Sequence, residues 1–329
     1  MPKPKVAFYW CASCGGCEEA VVDLAEGILP VVGAVDIVLW PVALDFKLED
    51  VRSWRPGDVA VAFVNGAVRS AENEMWVKLL REKCSLIVAF GSCAHLGGIP
   101  GLANVTTRGE IFANKYARAV TAVNPQGIFP QIDTRLNGYE LELPEMWNTV
   151  KCLDQVIDVD YYLPGCAPPP DSIAKAVQAI LSGHLPPKGS VLAPEKSLCE
   201  TCPRNDSKPE QFTIETFRRI ATSTPDPEKC FLAEGFVCLG PATRGGCGER
   251  CIRGNMPCRG CFGPTPDALD QGTKFLAALG AVTAGKTQEE VVATAATFPD
   301  PLGTLYRFSL PKSLLRRAAV AEPEKETVR

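Results

Sequence analysis

Fifteen cysteines are the residues of this sequence best able to do chemistry. Eight of them lie in one stretch of the second half: Cys199, Cys202, Cys230, Cys238, Cys247, Cys251, Cys258 and Cys261. Eight thiolates suit two four-ligand sites, and each C-x-x-C pair can bring both sulfurs to one metal centre from a single turn. Two interpretations remain for this stretch, two [4Fe-4S] clusters or two structural zinc sites. The scarcity of histidine, with only two in the chain, favours the clusters.

A second group of cysteines begins near the N-terminus. Cys11, Cys14 and Cys17 have the spacing of the bacterial ferredoxin repeat, but the fourth cysteine and the proline that complete that repeat are missing. A radical S-adenosylmethionine signature would need a different first spacing. A four-thiolate site therefore takes two ligands from this run and two from Cys93 and Cys166. Either Cys11 or Cys14 is then spare.

Strands that alternate with helices must position these thiols. The predicted strands are 5–10, 35–40, 59–64, 85–90 and 156–163, and the predicted helices are 18–29, 71–83 and 172–181. This alternation predicts right-handed crossovers and a parallel sheet covered on both faces. Ligands of such sheets collect at the carboxyl ends of the strands. The N-terminal cysteine run, Cys93 and Cys166 all follow predicted strands, so we expect them to meet at one rim.

The composition and periodicity of the sequence change after about Leu185. Prolines accumulate there, and regular periodicity fades until about Asp267. A region with few strands or long helices must be held by something other than a large core, and metal clusters can supply that constraint. We therefore expect a sheet domain at 1–185, a cluster-bearing domain at 186–267, and a helical extension with a charged, frayed tail at 268–329.

A phosphate-binding loop is formally matched by the run from Gly280 to Thr287. The residues before it have helical rather than strand spacing, and too few residues follow to build the sheet that such a loop requires. We instead expect one helix to end at Gly280 and another to start at Thr287, with Thr287 and Glu290 as a capping box.

Charge and hydropathy exclude several kinds of partner. A net charge of −4 provides no basic field for phosphates, so we expect no nucleic acid partner. No apolar run is long enough to span a bilayer, and a first candidate site at Cys11 leaves no room for a cleavable signal peptide. The arginine pairs at 218–219 and 316–317 lie too far along the chain to be export signals. We expect a cytoplasmic protein without membrane insertion, whose thiols stay reduced.

Several motifs together resemble those of the small subunits of [NiFe] hydrogenases. In the first half they are Cys14-Gly-Gly-Cys17-Glu-Glu, Gly91-Ser-Cys93 and Pro164-Gly-Cys166-Ala-Pro-Pro, and in the second half Cys238-Leu-Gly-Pro-Ala-Thr-Arg-Gly-Gly-Cys247 and Met256-Pro-Cys258-Arg-Gly-Cys261. The resemblance covers roughly residues 5 to 265. It implies an α/β fold, with a flavodoxin-like parallel sheet domain followed by an irregular domain stabilised by iron-sulfur clusters.

The resemblance also implies a ligand set for each of three [4Fe-4S] clusters. The proximal cluster would be held by Cys14, Cys17, Cys93 and Cys166, the medial one by Cys247, Cys251, Cys258 and Cys261, and the distal one by Cys199, Cys202, Cys230 and Cys238. Many periplasmic and membrane-bound relatives have a histidine where Cys199 stands and a proline where Cys251 stands. All three clusters should then be four-iron and low in potential. The remaining thiols, Cys11, Cys84 and Cys152, are interpreted as small buried hydrophobes.

As function, the resemblance implies an electron relay. Electrons would pass between a nickel-iron centre in a large subunit, where H2 is oxidised or protons are reduced, and a cytoplasmic iron-sulfur or flavin acceptor subunit. This chain would contain no nickel-iron centre. One alternative is a zinc-stapled scaffold or interaction protein. A nearer one is the cluster subunit of quinone-reducing complexes, which lacks the eight-cysteine extension.

Several other residues have two interpretations each. Glu18 and Glu19 fall in the first turn of a predicted helix, where carboxylates are favoured, and the resemblance adds a role in proton movement for Glu19. His95 could donate a hydrogen bond to a cluster sulfur or be a satisfied loop histidine. Arg244 and Arg259 could raise a cluster potential or be solvated surface residues.

Overall fold

The computed structural model describes residues 2–285 and 287–317 of the 329-residue chain. Lys286 of the formal phosphate-loop match and the charged tail therefore lie outside the described residues. The strands are β1 (Lys5–Trp10), β2 (Asp36–Leu39), β3 (Val59–Asn65), β4 (Val68–Ser70), β5 (Cys84–Phe90), β6 (Asp133–Leu136), β7 (Tyr139–Glu142), β8 (Met146–Lys151) and β9 (Tyr161–Leu163). The α-helices are α1 (Gly16–Val22), α2 (Ile28–Ala34), α3 (Leu48–Arg52), α4 (Ala71–Lys83), α5 (Ser92–Leu96), α6 (Arg108–Phe112), α7 (Pro170–Ser182), α8 (Arg250–Arg253), α9 (Gln271–Val282), α10 (Gln288–Ala296), α11 (Pro301–Leu305) and α12 (Leu314–Arg317).

The central sheet has five parallel strands in the order β2-β1-β3-β5-β9. Numbered within the sheet alone, this is the 2-1-3-4-5 order of flavodoxin-like folds, which confirms the predicted α/β class. Trp10 pairs with Asn65, Asn65 with Phe90, and Phe90 with Leu163, so four strands end in one row. The loops that follow them therefore leave from the same edge of the sheet.

Apolar side chains cover both faces of this sheet. Along β1, Val6 and Phe8 point to one face and Ala7 and Tyr9 to the other, as expected for a strand buried on both sides. Helices α1, α2 and α7 pack on the first face and α3 to α5 on the second. The ring of Phe8 stacks on that of Phe63 with centroids 5.2 Å apart. A cysteine that follows the end of a strand can therefore reach the rim, whereas a cysteine within a strand is buried between the sheet and its helices.

Two predicted elements are wrong in extent. The helix expected at 18–29 is instead two helices. The first, α1, ends at Val22, and Ala25 then adopts a positive φ of 51°. Pro30 has no N–H to donate, so it is tolerated in the first turn of α2 and not in the middle of a longer helix. The strand expected at 156–163 is reduced to β9, because the carboxylate of Asp160 accepts the backbone N–H of Ile87 at 2.8 Å in place of a further strand residue.

Some elements were not predicted at all. Strand β4 pairs antiparallel with β8, and β6 and β7 form a hairpin whose residues are all exposed. The capping box of Thr287 and Glu290 is present at the start of α10, whereas the preceding helix runs past Gly280 to Val282. Within the described residues, no helix combines the length and the apolar character needed to cross a membrane.

The second half has a core of its own. Phenylalanines from the irregular region, Phe231 and Phe236, pack in one apolar cluster with Phe275 and Leu279 of α9. Between 186 and 267 the regular structure that is described consists of short 3-10 turns and the four-residue helix α8. The predicted domain boundaries stay predictions.

Asp160 anchors β9 to its neighbour, and replacing it should be costly. Burial alone would raise the pKa of this carboxyl, but hydrogen bonds from Lys188, Arg81 and the Ile87 N–H outweigh burial and lower the pKa below its ordinary 3.8. We expect Asp160→Asn to lower the free energy of unfolding at pH 7 by about 2–3 kcal/mol, since buried donors lose a charged acceptor. Anaerobic urea unfolding measures this loss.

The effect of Asp160 should depend on pH in one direction. Its folded-state pKa lies below the unfolded value, so the stabilisation is complete above about pH 4 and is lost as the pH falls through the folded pKa. The difference in free energy of unfolding between wild type and Asp160→Asn should therefore become smaller as the pH is lowered. The exposed Asp45→Asn is the matched control, with a change under about 0.5 kcal/mol. A pH-independent difference would contradict this account of Asp160.

Candidate iron-sulfur centre

Four thiols meet at the common edge of the sheet. Burial raises the pKa of Cys17, and the thiols of Cys93, Cys166 and Cys14 raise it further, so these four groups are close neighbours. Cys93 lies in α5 after β5, Cys17 lies in α1 after β1, and Cys166 follows β9. Cys14 and Cys166 are exposed, whereas Cys17 and Cys93 are buried. The rim predicted from the strand ends is therefore present.

Backbone hydrogen bonds fix the loops that carry these thiols. The N–H of Gly91 donates to the carbonyl of Leu163 at 2.8 Å, and that of Ser92 donates to Gly165 at 2.7 Å. The N–H of Cys11 donates to Asn65 at 2.9 Å. The loops after β1, β3, β5 and β9 thus form one continuous layer rather than independent segments.

Two glycines at the rim make room for the thiol sulfurs. A Cβ added at Gly91 would lie 2.3 Å from Sγ of Cys17, and one added at Gly98 would lie 2.4 Å from Sγ of Cys93. Gly91 also has a φ of 85°, which L side chains rarely adopt. Sterically, no side chain can replace hydrogen at either position without displacing a thiol.

Gly91→Ala should therefore damage the rim rather than the whole fold. We expect the iron content per chain to fall by about four, one cluster's worth, because the new methyl group displaces the sulfur of Cys17. Gly138 has a similar φ of 82° with nothing within 4 Å of an added Cβ, so Gly138→Ala is the control for a methyl group at a positive φ without a steric clash. Iron analysis of the two variants tests this expectation. Equal iron content in both would contradict the steric argument.

The three other cysteines of the sheet domain are buried and are not among the thiols that raise the pKa of Cys17. Cys11 packs in the apolar cluster with Tyr9 and Trp76, and burial and then the carboxylate of Glu72 raise its pKa. Cys84 lies in the same cluster. Cys152 is also buried, and its thiol donates to the carboxylate of Asp154 at 3.3 Å. The structure thus groups Cys14, and not Cys11, with the rim thiols.

A buried carboxylate, Glu18, lies beside the rim, whereas the sequence analysis named only Glu19 as a candidate for proton movement. Glu18 is only 2% exposed, whereas Glu19 is exposed. The two oxygens of Glu18 accept hydrogen bonds from Trp40 Nε1 at 3.0 Å and Asn65 Nδ2 at 2.9 Å, and Asn65 in turn accepts one from Ser13 Oγ at 2.7 Å. Burial raises the pKa of Glu18, and these two donors lower it in part. The network joins the loop after β1 to β2 and β3.

A second group of thiols lies in the irregular region. Burial raises the pKa of Cys199 to about 12, the thiols of Cys238, Cys202 and Cys230 also raise it, and Lys208 lowers it. All four predicted distal ligands are therefore neighbours of one another. A Cβ added at the neighbouring Gly240 would lie 3.1 Å from Sγ of Cys199.

The third group lies between the other two. Burial raises the pKa of Cys261 to about 12, and the thiols of Cys247, Cys251 and Cys166 raise it further. Burial likewise raises the pKa of Cys258 well above its ordinary value, followed by the thiols of Cys238 and Cys261. The predicted medial thiols thus have one neighbour in each flanking group.

Hydrogen bonds connect the three groups in a row. Ser92 Oγ, next to Cys93, donates to the carbonyl of Cys261 at 2.6 Å. The backbone N–H of Cys258 donates to Sγ of Cys238 at 3.3 Å. The sheet rim is therefore joined to the group around Cys261, and that group to the one around Cys238.

The other predicted residues have varied surroundings. His95 is buried against the ring of Tyr162, and burial lowers its pKa to about 3. Its Nδ1 has no hydrogen-bond partner among the described residues. Arg244 is also buried and donates to the carbonyl of Pro194 at 3.2 Å. Burial and Arg307 lower the pKa of Arg259, and nearby thiols raise it.

The chemistry of these groups fits iron-sulfur cores. Each group offers four soft sulfur donors, which become ligands as thiolates. All fifteen cysteines are free thiols, so none of the twelve is taken by a disulfide. In the part of the chain that the structure describes, no three His, Cys, Asp or Glu side chains are placed to hold a single metal ion.

Comparison with known proteins gives the family. Residues 14–180 match the family described as NADH ubiquinone oxidoreductase, 20 Kd subunit. Over 95% of this chain and 98% of the relative, the chain is 40% identical to the iron-sulfur subunit of the F420-non-reducing hydrogenase of Archaeoglobus profundus. The chain belongs to the family of F420-non-reducing hydrogenase iron-sulfur subunits. It is therefore an oxidoreductase subunit that works within a hydrogenase complex.

Other relatives of this hydrogenase subunit agree. An F420-non-reducing hydrogenase subunit of Methanothermobacter thermautotrophicus is 34% identical over 95% of this chain and 96% of its own length. A chain of the recombinant [NiFeSe] hydrogenase from Desulfovibrio vulgaris Hildenborough has a TM-score of 0.51 at 19% identity, with 81% of this chain and 96% of that chain covered. That likeness shows a shared fold.

Proposed function

We propose that the subunit relays electrons between a nickel-iron centre in a large subunit and a redox partner, through three [4Fe-4S] clusters. The observation that carries this proposal is the row of three thiol groups, each adjacent to the next through Cys261 and Cys258. A row of this kind suits stepwise electron transfer, in which each group must lie near its neighbour. Zinc sites in a scaffold would have no need of such contacts.

The proposed ligand sets follow the three groups. They are Cys14, Cys17, Cys93 and Cys166 at the sheet rim, Cys247, Cys251, Cys258 and Cys261 in the middle, and Cys199, Cys202, Cys230 and Cys238 at the far end. When bound, the clusters supply one-electron redox chemistry. The chain itself holds and orients the thiolates, excludes water through the burial of Cys17, Cys93, Cys238 and Cys258, and donates backbone hydrogen bonds to sulfur.

The two ends of the row indicate where partners should bind. Cys14 and Cys166 are exposed at the rim, so we propose that the large subunit covers this edge. The acceptor, an iron-sulfur or flavin subunit, would dock near the half-buried Cys199 and Cys202. A cytoplasmic location is part of the proposal, and fifteen free thiols suit a reducing compartment.

Metal analysis tests this proposal against the zinc-stapled scaffold. The anaerobically purified chain should contain about twelve irons with matching acid-labile sulfide, whereas the scaffold would contain about two zincs. The isolated chain should oxidise no H2, and the complex with its large subunit should do so with a viologen acceptor. Zinc in place of iron, or H2 turnover by the isolated chain, would overturn the proposal.

A further inference from the structure

One arginine is buried among the thiols of the second half. Arg204 is 5% exposed, and its guanidinium lies over the ring of Phe231, with the central carbon 4.1 Å from the ring centroid. Its Nη1 donates to the carbonyls of Asp226 at 2.9 Å and Lys229 at 3.1 Å. The side chain is therefore fixed from several sides.

The second terminal nitrogen of Arg204 reaches the middle group. It donates to Asn255 Oδ1 at 2.8 Å and lies 3.4 Å from the carbonyl of Ile252, the residue after Cys251. Lys229, which accepts from the other nitrogen, directly precedes Cys230. The guanidinium thus contacts immediate chain neighbours of one proposed medial ligand and one proposed distal ligand.

The acceptors of Arg204 are all neutral. Carbonyl oxygens and an amide oxygen take its hydrogen bonds, and no ion pair to it exists among the described residues. Asp226, whose carbonyl it uses, directs its carboxylate to Lys229 instead, at 3.3 Å. A buried cation without an anionic partner is costly. The Asp226 carboxylate interacts with Arg204 at longer range but is already paired with Lys229, so the charge of Arg204 still lacks a full counter-charge.

The thiols provide that counter-charge when they bind a cluster. Cys202 lies two residues before Arg204. The backbone N–H of Arg204 donates a hydrogen bond to the sulfur of Cys202, and the guanidinium charge also acts on that sulfur. Four thiolates around an iron-sulfur core make a net anion. A buried cation beside this core stabilises the more negative, reduced form in a medium of low dielectric.

We propose that Arg204 is a positioning residue that raises the reduction potential of the distal cluster and, less strongly, of the medial one. The inference rests on the proposed function, because it requires clusters at these thiols. A positive charge between the last two groups favours electrons there over the sheet rim. The fold would thereby bias the relay toward the acceptor end.

The test compares charge-removing and charge-keeping variants in the complex with its large subunit. Potentiometric titration followed by electron paramagnetic resonance gives the ratio of oxidised to reduced distal cluster at a fixed potential. In Arg204→Met, which keeps apolar contact with Phe231 but loses the charge, this ratio should rise about three- to tenfold. Arg204→Lys should restore most of the wild-type ratio.

The matched control is Arg218→Met. Arg218 also stacks on a phenylalanine, Phe236, with its guanidinium carbon 4.8 Å from the ring centroid, but it is exposed and its charge is screened. In Arg218→Met, the ratio of oxidised to reduced distal cluster should stay at the wild-type value. An unchanged ratio in Arg204→Met, an equal change in both methionine variants, or no rescue by lysine would overturn the role of Arg204. A wild-type complex without iron in this chain would instead overturn the proposed function.

If Arg204→Met does not assemble, Arg204→Lys and Arg204→Gln remain informative. Glutamine keeps a hydrogen-bond donor without the charge, so it should shift the ratio in the same direction as methionine. A wild-type ratio in the glutamine variant would assign Arg204 a packing role only and overturn the electrostatic proposal.

Discussion

Replacing Cys93 by alanine should nearly abolish H2-dependent viologen reduction by the assembled complex. Cys93 is a proposed proximal ligand, and its sulfur occupies the space left by the hydrogen of Gly98. Loss of groups that only orient metal ligands typically costs ten- to a hundredfold, so loss of a ligand should cost more than about a hundredfold. The rim is where electrons would enter the chain, and a defect there should not be bypassed. The effect is measured as the rate of viologen reduction at saturating H2, together with the iron content per chain.

Cys84→Ala provides the matched control for Cys93→Ala. Both thiols are buried, with 3% exposure for Cys84 and 7% for Cys93, and both belong to the β5–α5 segment. Cys84 begins the strand and lies at the far end from the rim, so its replacement should cost only about 1 kcal/mol of stability. Activity per folded complex should stay at the wild-type level. Comparable activity losses in the two variants would contradict a ligand role for Cys93.

The rim could be predicted from sequence because parallel strands have a simple rule. Short apolar runs marked β1, β3 and β5 closely, and residues after parallel strands must meet at one edge. The positions of Cys17 and Cys93 follow from that rule alone. The choice between Cys11 and Cys14 does not, because it depends on the direction in which the chain turns after Trp10. The hydrogen bond from the Cys11 N–H to Asn65 settles that direction in the fold.

The identity of the buried glutamate was beyond sequence reasoning for a related reason. Glu18 and Glu19 are equally suited to a helix N-terminus, and only the orientation of α1 decides which one faces the sheet. Asn65, one of the two donors to Glu18, ends β3, and Trp40, the other, directly follows β2, so both are distant in sequence. Tertiary contacts, not local preference, therefore place the carboxylate beside the rim.

The irregular half shows where periodicity stops being informative. Arg204 carries no local pattern that distinguishes it from the exposed Arg218 or Arg219, yet it is buried because backbone carbonyls of two loops converge on it. Such convergence needs the loops to be folded first. Cysteine spacing predicts metal or cluster binding in this region, which stays a prediction, whereas long-range packing determines its electrostatics.

Cys251→Pro should convert the medial cluster from four irons to three. Cys251 is exposed in the first turn of α8, where a backbone N–H has no partner within the helix, so proline is compatible with the local fold. Without that thiolate the corner iron has no protein ligand, and the iron content should fall by about one per chain. Oxidised samples should show a three-iron signal by electron paramagnetic resonance. The cluster should also have a higher reduction potential, because the type of cluster sets the potential.

Cys251→Ala separates the loss of the thiolate from the effect of the proline ring. Because both variants lack the same sulfur, both should lose one iron and give the same signal, whereas a backbone effect of proline would appear in only one of them. Cys11→Ala, which removes a core thiol away from the three groups, should leave the spectrum at wild type. An unchanged spectrum after reoxidation of Cys251→Pro would remove Cys251 from the medial set. Only three cysteines would then remain in the middle group, and the fourth ligand would have to come from a neighbouring segment.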